Sequence, residues 1–278
     1  MLQTEWNSGS GKSEFLLDRR VLCLEWGVIK PSSIPQLSIP QLSIVIPVYN
    51  EANKISIVVD SWVTEMELLG VAYEINVYDD GSTDDTLTVL ENFALHAPCV
   101  RIASQANRGH GPTIHRGYCE ARGVWVFQTD GSGEMSPDSF GRLWSQRDKY
   151  DLLLGCRKGR NFSLARLIIT AASRLTVWTL FGRTIKDVNS PYRLIRRSSL
   201  REILQHIPAD ASAPNVLMSG YAARLGLKVY EYPVQHRTTR AAATRLLPSW
   251  RFCKVAAAAF RETIAAAFTT PSSVRPHS

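Results

Sequence analysis

Val124–Asp138 reads VWVFQTDGSGEMSPD, and its interpretation decides the fold. Val124, Trp125, Val126 and Phe127 are β-branched or aromatic and uncharged, as a strand covered on both faces requires. The run stops abruptly at Asp130, Gly131, Ser132, Gly133 and Glu134, and Pro137 falls just inside the next expected helix. A buried strand that ends in an acidic glycine loop fits an open α/β sheet, where ligands bind at the carboxyl ends of strands. Carboxylates there suit a hard cation that holds phosphates at the same time. The bland alternative is an acidic turn facing water.

Two upstream stretches repeat the pattern. SIVIPVYNE, from Ser43, is an apolar run that stops at Asn50 and Glu51. The next segment carries Ile55, Val58, Val59, Trp62, Met66 and Leu69 at helical spacing, which predicts a helix from about Ala52 to Leu69, stopped by Gly70. A second strand, Tyr73 to Tyr78, ends in DDGSTDDT, with Asp79 and Asp80 at its exit. Ser82 and Asp85 have the spacing of a capping box that opens a helix. A third strand, Val100 to Ala103, leads into NRGHG, where Asn107, Gly109 and Gly111 permit a tight loop and Arg108 supplies a cation. The following helix is expected to reach Arg122. Strands alternating with helices imply a mainly parallel sheet, so these loops share one edge. Such a convergence points to a nucleotide site with a metal.

Composition is that of a soluble globular protein: 278 residues, 45% hydrophobic and 21% charged. The formal charge of +7 favours an anionic partner, whether nucleotide, phospholipid surface or nucleic acid. Nucleic acid is disfavoured, because no basic-aromatic platform or named motif accompanies the charge. Cys23, Cys99, Cys119, Cys156 and Cys253 stand singly, which argues against a zinc site or disulfide framework and for a reducing compartment. Neither a transmembrane run nor a signal-peptide pattern is found. Residues 1–42 read as an extended leader: SIPQL occurs twice in tandem, and Pro35 and Pro40 deny a helix. SGSGKS, from Ser8, fails as a phosphate loop, because its first glycine would fall on Trp6 and no strand precedes it.

IVIPVYNE, VYDDGSTDDT, NRGHG and TDGSGE, in this order, resemble the family 2 glycosyltransferases of the GT-A fold, above all the dolichyl- and polyprenyl-phosphate mannose and glucose synthases. The resemblance covers roughly residues 43–246 and implies one catalytic domain, a mainly parallel Rossmann-like sheet flanked by helices, some of them amphipathic. Residues 247–278 are left as a C-terminal helix and flexible tail. It implies sugar transfer from a nucleotide donor, GDP- or UDP-linked, with inversion. Pro47, Tyr49, Glu51, Tyr78 and Asp80 match donor-binding positions, joined by Arg108 and Gly131. Asp130 matches the first carboxylate of the DxD motif, whose second falls on Ser132. A hydroxyl is a poor substitute for a carboxylate, and Glu134 restores the charge. Asp130 and Glu134, with Ser132 as a weaker partner, are thus the expected ligands of Mg2+ or Mn2+.

The acceptor side lies further on. DLLLGCRKGR, from Asp151, is a buried strand followed by a basic loop. Phe162 to Phe181 reads as an apolar helix that carries Arg166 and Arg174, either packed on the core or lying on a membrane. In the lipid-phosphate relatives, a loop arginine and an Arg-x-x-x-Ser pattern hold the acceptor phosphate; Arg157, Arg166 and Thr170 match them. DVNSPYRLIRR, from Asp187, resembles the family's D-x-x-SGF-R segment with Pro191 in place of glycine. A helix is expected over Ala213 to Gly226 and a closing strand over Lys228 to Val234. RAAATRL, from Arg240, resembles a loop over the donor phosphates, with Arg240 supporting the leaving diphosphate. The implied activity is transfer to a polyprenyl phosphate by a cytoplasmic protein bound peripherally to the cytoplasmic membrane face. Two alternatives remain open: a soluble transferase using a hydroxyl acceptor, with Asp187 or Asp210 as base, and a non-catalytic nucleotide-sugar-binding protein.

Overall fold

The computed structural model describes residues 39–158, 164–182 and 185–236, together with 257, 260–265 and 268. Residues 1–38 of the expected leader, and Arg240 with its loop, lie outside the described residues.

Seven strands form one sheet in the order β3-β2-β1-β4-β6-β5-β7. The first half alternates as expected: β1 (Leu42–Val48), α1 (Ile55–Leu69), β2 (Tyr73–Asp79), α2 (Thr86–Ala94), β3 (Val100–Ser104), α3 (His110–Glu120) and β4 (Trp125–Gln128). A 3-10 turn at Pro137–Ser139 leads into α4 (Phe140–Gln146). Then follow β5 (Leu152–Lys158), α5 (Leu164–Phe181), β6 (Arg193–Arg196), α6 (Arg197–Leu204), α7 (Pro214–Arg224) and β7 (Val229–Gln235). The β1–β2, β2–β3, β1–β4 and β5–β7 pairs are parallel. β6 runs antiparallel between β4 and β5. Its first residue therefore lies at the same sheet edge as the carboxyl ends of the other strands. β6 and α6 were not expected, because the segment that contains them opens and closes on arginines.

The pleat explains why β1 is apolar from Ile44 to Val48. Ile44, Ile46 and Val48 face one layer with Trp62 of α1, while Val45 faces the other with Ile114 of α3. The first layer is centred on aromatic edges. The rings of Phe127 and Tyr192 lie 4.7 Å apart, those of Phe127 and Phe140 4.8 Å, and Trp62 is 5.0 Å from Phe127. Gly70, at φ 61, ends α1 by a left-handed cap whose amide reaches back to the last turn.

Two local expectations are corrected. Ser82 and Asp85 form no capping box. Ser82 Oγ accepts the Asn50 amide at 2.9 Å, which ties the β1 exit to the β2 exit, and Asp84 receives the Thr86 amide at 3.0 Å. The crossing suits Asn50 itself, which takes φ 53 and accepts the Thr83 amide at 2.8 Å. α3 ends at Glu120, before the expected Arg122, because residue 121 turns to extended backbone.

Candidate functional site

A pocket opens at the carboxyl edge of β1 and β2 and at the start of α3. Pro47, Val48, Tyr49, Asp80, Asn107, Gly109, His110 and Thr113 line it. Pro47, Tyr49 and Asp80 were expected here. Tyr49 is 46% exposed at the mouth. Asp80 is buried, and its carboxylate shapes the wall. Oδ1 accepts Gln105 Nε2 and the Arg108 amide, both at 2.9 Å, and Oδ2 accepts the Gly109 amide at 2.9 Å. The NRGHG loop is thus folded around one carboxylate. The neighbouring Asp79 has a different duty: it receives the Ser82 amide at 3.2 Å and Ser104 Oγ at 3.0 Å, closing the β2 turn onto β3.

Other expected donor residues stand elsewhere. Tyr78 is 2% exposed and packs with Ile114 and Tyr118 beneath α3, because its position on β2 faces that layer and not the pocket. Glu51 pairs with Lys54 at 3.8 Å, outside the pocket lining. The Arg108 side chain is exposed, and the loop uses only its backbone amide. Gly131 is buried, and its amide reaches the Pro47 carbonyl at 3.2 Å. A methyl at residue 131 would lie 3.1 Å from that carbonyl and from Val48, so glycine lets the acidic loop lie against β1.

The acidic loop continues the edge from the pocket. His110, part of the pocket wall, stands 3.8 Å from Asp130 Oδ1. The Asp130 side chain is 31% exposed, yet Oδ1 itself is enclosed and has no hydrogen-bond partner among the described residues. Burial pushes its carboxyl up; His110 and Arg157 pull it back, and the Glu134 carboxylate opposes them. Glu134 Oε2 meets His236 Nε2 at 3.0 Å, across 102 residues of sequence. Ser132 lies half-buried between these two carboxylates. Among the described residues no group of three His, Cys, Asp or Glu forms a metal cage. An enclosed, unsatisfied carboxylate oxygen beside a second carboxylate fits an ion that takes its remaining ligands from phosphates and water.

The far side of the edge is basic. Arg157, at the end of β5, is bound by Asp187: Nε to Oδ2 is 2.8 Å and Nη2 to Oδ1 is 2.7 Å. Asp187 thus takes one edge of the guanidinium. Asp187 is for the same reason not an open base, and Asp210 is exposed. Arg166 and Thr170 fall on α5, but their side chains lie outside the described residues. The outer face of α5 exposes Arg174, Leu175 and Trp178, while Val177 and Phe181 are buried; it is both a core helix and an apolar surface.

Sequence reasoning missed His110, His236 and Arg193. His110 lies inside the NRGHG motif but was given no role, and His236 carried no periodic or motif signal. Arg193 opens β6 and is wholly buried. Its Nε, Nη1 and Nη2 donate to the carbonyls of Ser190 (2.9 Å), Asn215 (3.1 Å) and Val188 (3.2 Å).

Comparison with known proteins agrees with this architecture. The undecaprenyl-phosphate 4-deoxy-4-formamido-L-arabinose transferase of Salmonella paratyphi B is 27% identical over 201 residues, 71% of this chain and 60% of that protein. The dolichyl-phosphate beta-glucosyltransferase of Trichomonas vaginalis is 28% identical over 213 residues, 70% of this chain and 65% of that protein. The chain thus spans about three fifths of the length of these curated relatives. A Pyrobaculum calidifontis mannosyltransferase, solved with GDP-Man and Mn2+, shares the fold with a TM-score of 0.55 at 17% identity, over 83% of this chain and 74% of that one. The model of the family described as glycosyl transferase family 2 matches residues 43–204, more than half of the chain, and the protein belongs to that family, with its GT-A fold.

Proposed function

We propose that this chain is an inverting glycosyltransferase that moves a sugar from a nucleoside diphosphate to a polyprenyl phosphate at a membrane surface. One observation carries the reading. A pocket, an acidic loop with an unsatisfied carboxylate oxygen and a basic strand end follow each other along one sheet edge. That order suits nucleoside, diphosphate and acceptor phosphate in turn. The names of both curated relatives, transferases of polyprenyl phosphates, support the acceptor class.

Tyr49 at the mouth and Asn107, Gly109 and His110 on the wall would hold the nucleoside, with Asp80 fixing that wall. Asp130 and Glu134, with Ser132 between them, are the residues that would hold Mg2+ or Mn2+. When bound, such an ion supplies the positive charge against which a diphosphate leaves. His236 keeps the Glu134 carboxylate directed into the acidic loop. Arg240 is assigned to the same diphosphate on the resemblance of its loop alone. On the other side, Arg157, with Arg166 and Thr170 on α5, would orient the acceptor phosphate. A phosphate oxygen attacks the anomeric carbon, the bond from that carbon to the donor phosphate breaks, and its electron pair leaves with the diphosphate. The nucleophile is already anionic at neutral pH, so no general base is required.

No helix among the described residues is long and apolar enough to cross a membrane. Leu175 and Trp178, 56% and 53% exposed beside Arg174, suit a peripheral contact with an anionic leaflet on its cytoplasmic face. The test is transfer of radiolabelled hexose from GDP- and UDP-linked donors. The expected product extracts into organic solvent and requires both polyprenyl phosphate and a divalent cation. Transfer to water-soluble hydroxyl acceptors alone would reject the lipid reading.

A further inference from the structure

Arg157 and Asp187 form a nearly enclosed pair, with side chains 13% and 14% exposed. Water screens such a pair little, and it is bidentate, so its geometry is strongly fixed. Asp187 occupies the Nε–Nη2 edge of the guanidinium. Among the described residues the opposite edge retains Nη1, while the remaining Nη2 hydrogen has only a long contact, 3.4 Å, to the Asn189 carbonyl. Leu154 of β5 aligns through Arg193 with Gln128 of β4, so Arg157 leaves the sheet at the same edge as the acidic loop and not on remote surface.

The loop that carries Asp187 has no freedom to follow a moving arginine. The Ser190 amide closes a turn onto the Asp187 carbonyl at 3.2 Å. Ser190 Oγ donates to the Gly155 carbonyl, and the Gly155 amide donates to the Tyr192 carbonyl at 2.7 Å, so the loop is fastened to β5 two residues before Arg157. A methyl at residue 155 would stand 2.7 Å from the Tyr192 ring. Arg193 then grips three carbonyls, two of them, Val188 and Ser190, within this loop. Pro191, buried in the same loop, fixes one more backbone angle. Both ends of the Arg157–Asp187 pair are therefore mounted on one rigid block.

We propose that Asp187 is a positioning residue for the acceptor phosphate: it clamps one edge of Arg157 and turns the Nη1 edge toward the acceptor, with the Arg193-braced loop as its mount. The proposal rests on the lipid-phosphate reading above. It gives Asp187 a definite sign of effect. A carboxylate close to an anion's site repels that anion, so removing it should tighten phosphate binding if repulsion were its only influence. If it orients the arginine, removal should weaken binding.

The probe is farnesyl phosphate, a soluble short polyprenyl phosphate, titrated calorimetrically into the full chain. Arg157→Ala should weaken binding about ten- to a hundredfold, the loss of a charge-assisted phosphate contact. Asp187→Ala should weaken it by about tenfold, through the loss of the bidentate hold. The double variant should be no weaker than Arg157→Ala, because both changes disable the same contact. Asp187→Asn keeps one oxygen acceptor and should recover part of the affinity. Affinity for metal-free GDP or UDP, at the pocket beside β1 and β2, should be unchanged in all four, which a general loosening of the fold would not allow. Tighter binding by Asp187→Ala, or additive losses in the double variant, would overturn the clamp while leaving the lipid-phosphate reading intact. If Asp187→Ala fails to fold, an unaltered affinity in Asp187→Asn overturns it equally. Absence of binding by the unmodified protein would reject the lipid reading and the clamp together.

Discussion

Replacing Asp80 with alanine tests whether one carboxylate builds the nucleoside pocket. Its oxygens take three hydrogen bonds, each 2.9 Å: one from the Gln105 side chain and two from the backbone amides of Arg108 and Gly109. Hydrogen bonds to charged groups contribute about 1.5–3 kcal/mol each. The sum overstates the loss, because Asn107 and Arg108 are exposed and the freed amides can turn to water. Recovering the cost of burying the carboxylate offsets more. A net loss of about 2–4 kcal/mol follows, which lowers the melting temperature by roughly 5–10 °C in a chain of this size. Asp80→Asn should be nearly as damaging, since its amide nitrogen would face the Gly109 N–H, donor against donor. Because Asn107, Gly109 and His110 form the pocket wall, nucleotide affinity should fall along with stability. Thermal unfolding by circular dichroism and calorimetric titration of GDP and UDP measure the two. Loss of nucleotide binding with a melting temperature within about 1 °C of the unmodified protein would refute the wall-building role and leave Asp80 as a ligand contact only.

Asp130→Asn should abolish Mn2+ binding in the presence of nucleoside diphosphate, Glu134→Gln should weaken it, and Ser132→Asp should strengthen it; the free-ion electron paramagnetic resonance signal reports each. Arg193→Met should leave the Ser190 carbonyl without its donor, whereas Val188 and Asn215 keep Ser219 Oγ. The expected loss is about 1–3 kcal/mol in urea unfolding. Trp178→Glu should cut sedimentation with anionic liposomes severalfold at low salt and leave the melting temperature unchanged, because the ring is 53% exposed.

The sequence made the β1–β4 half of the site readable and left the β5–β6 half obscure, for a physical reason. β1, β2 and β4 are covered on both faces, so the mainly apolar runs of β1 and β4 and the polar stops of all three mark the sheet edge directly. Pro47, Tyr49 and Asp80 fall at such stops. Tyr78 stands two residues before Asp80, yet pleating sends its ring under α3, and a strand exit alone does not reveal which face a residue takes. β6 hides because Arg193 is a charged residue at a buried position, paired in register with Gln128 and Leu154. A hydrophobic pattern cannot announce a buried arginine that is satisfied by carbonyls. The pairs Arg157–Asp187 and Glu134–His236 join different loops, 30 and 102 residues apart, and no local spacing encodes them.

The carboxylates at this edge divide the labour more sharply than their sequence suggests. Asp79 closes a turn, Asp80 folds a loop, Asp187 holds an arginine, Glu134 meets a histidine and Glu51 pairs with a lysine. Asp130 differs: its Oδ1 is buried and has no hydrogen-bond partner. A buried acceptor left unsatisfied costs about 1–3 kcal/mol, which a fold retains when a ligand later supplies the missing partner. Ser132 sharpens the contrast, since a neutral hydroxyl stands where the resemblance would place a second carboxylate. Asp79, Asp80 and Asp187 then act as supports already in place, and an edge so braced need not reorganise when a charged ligand arrives.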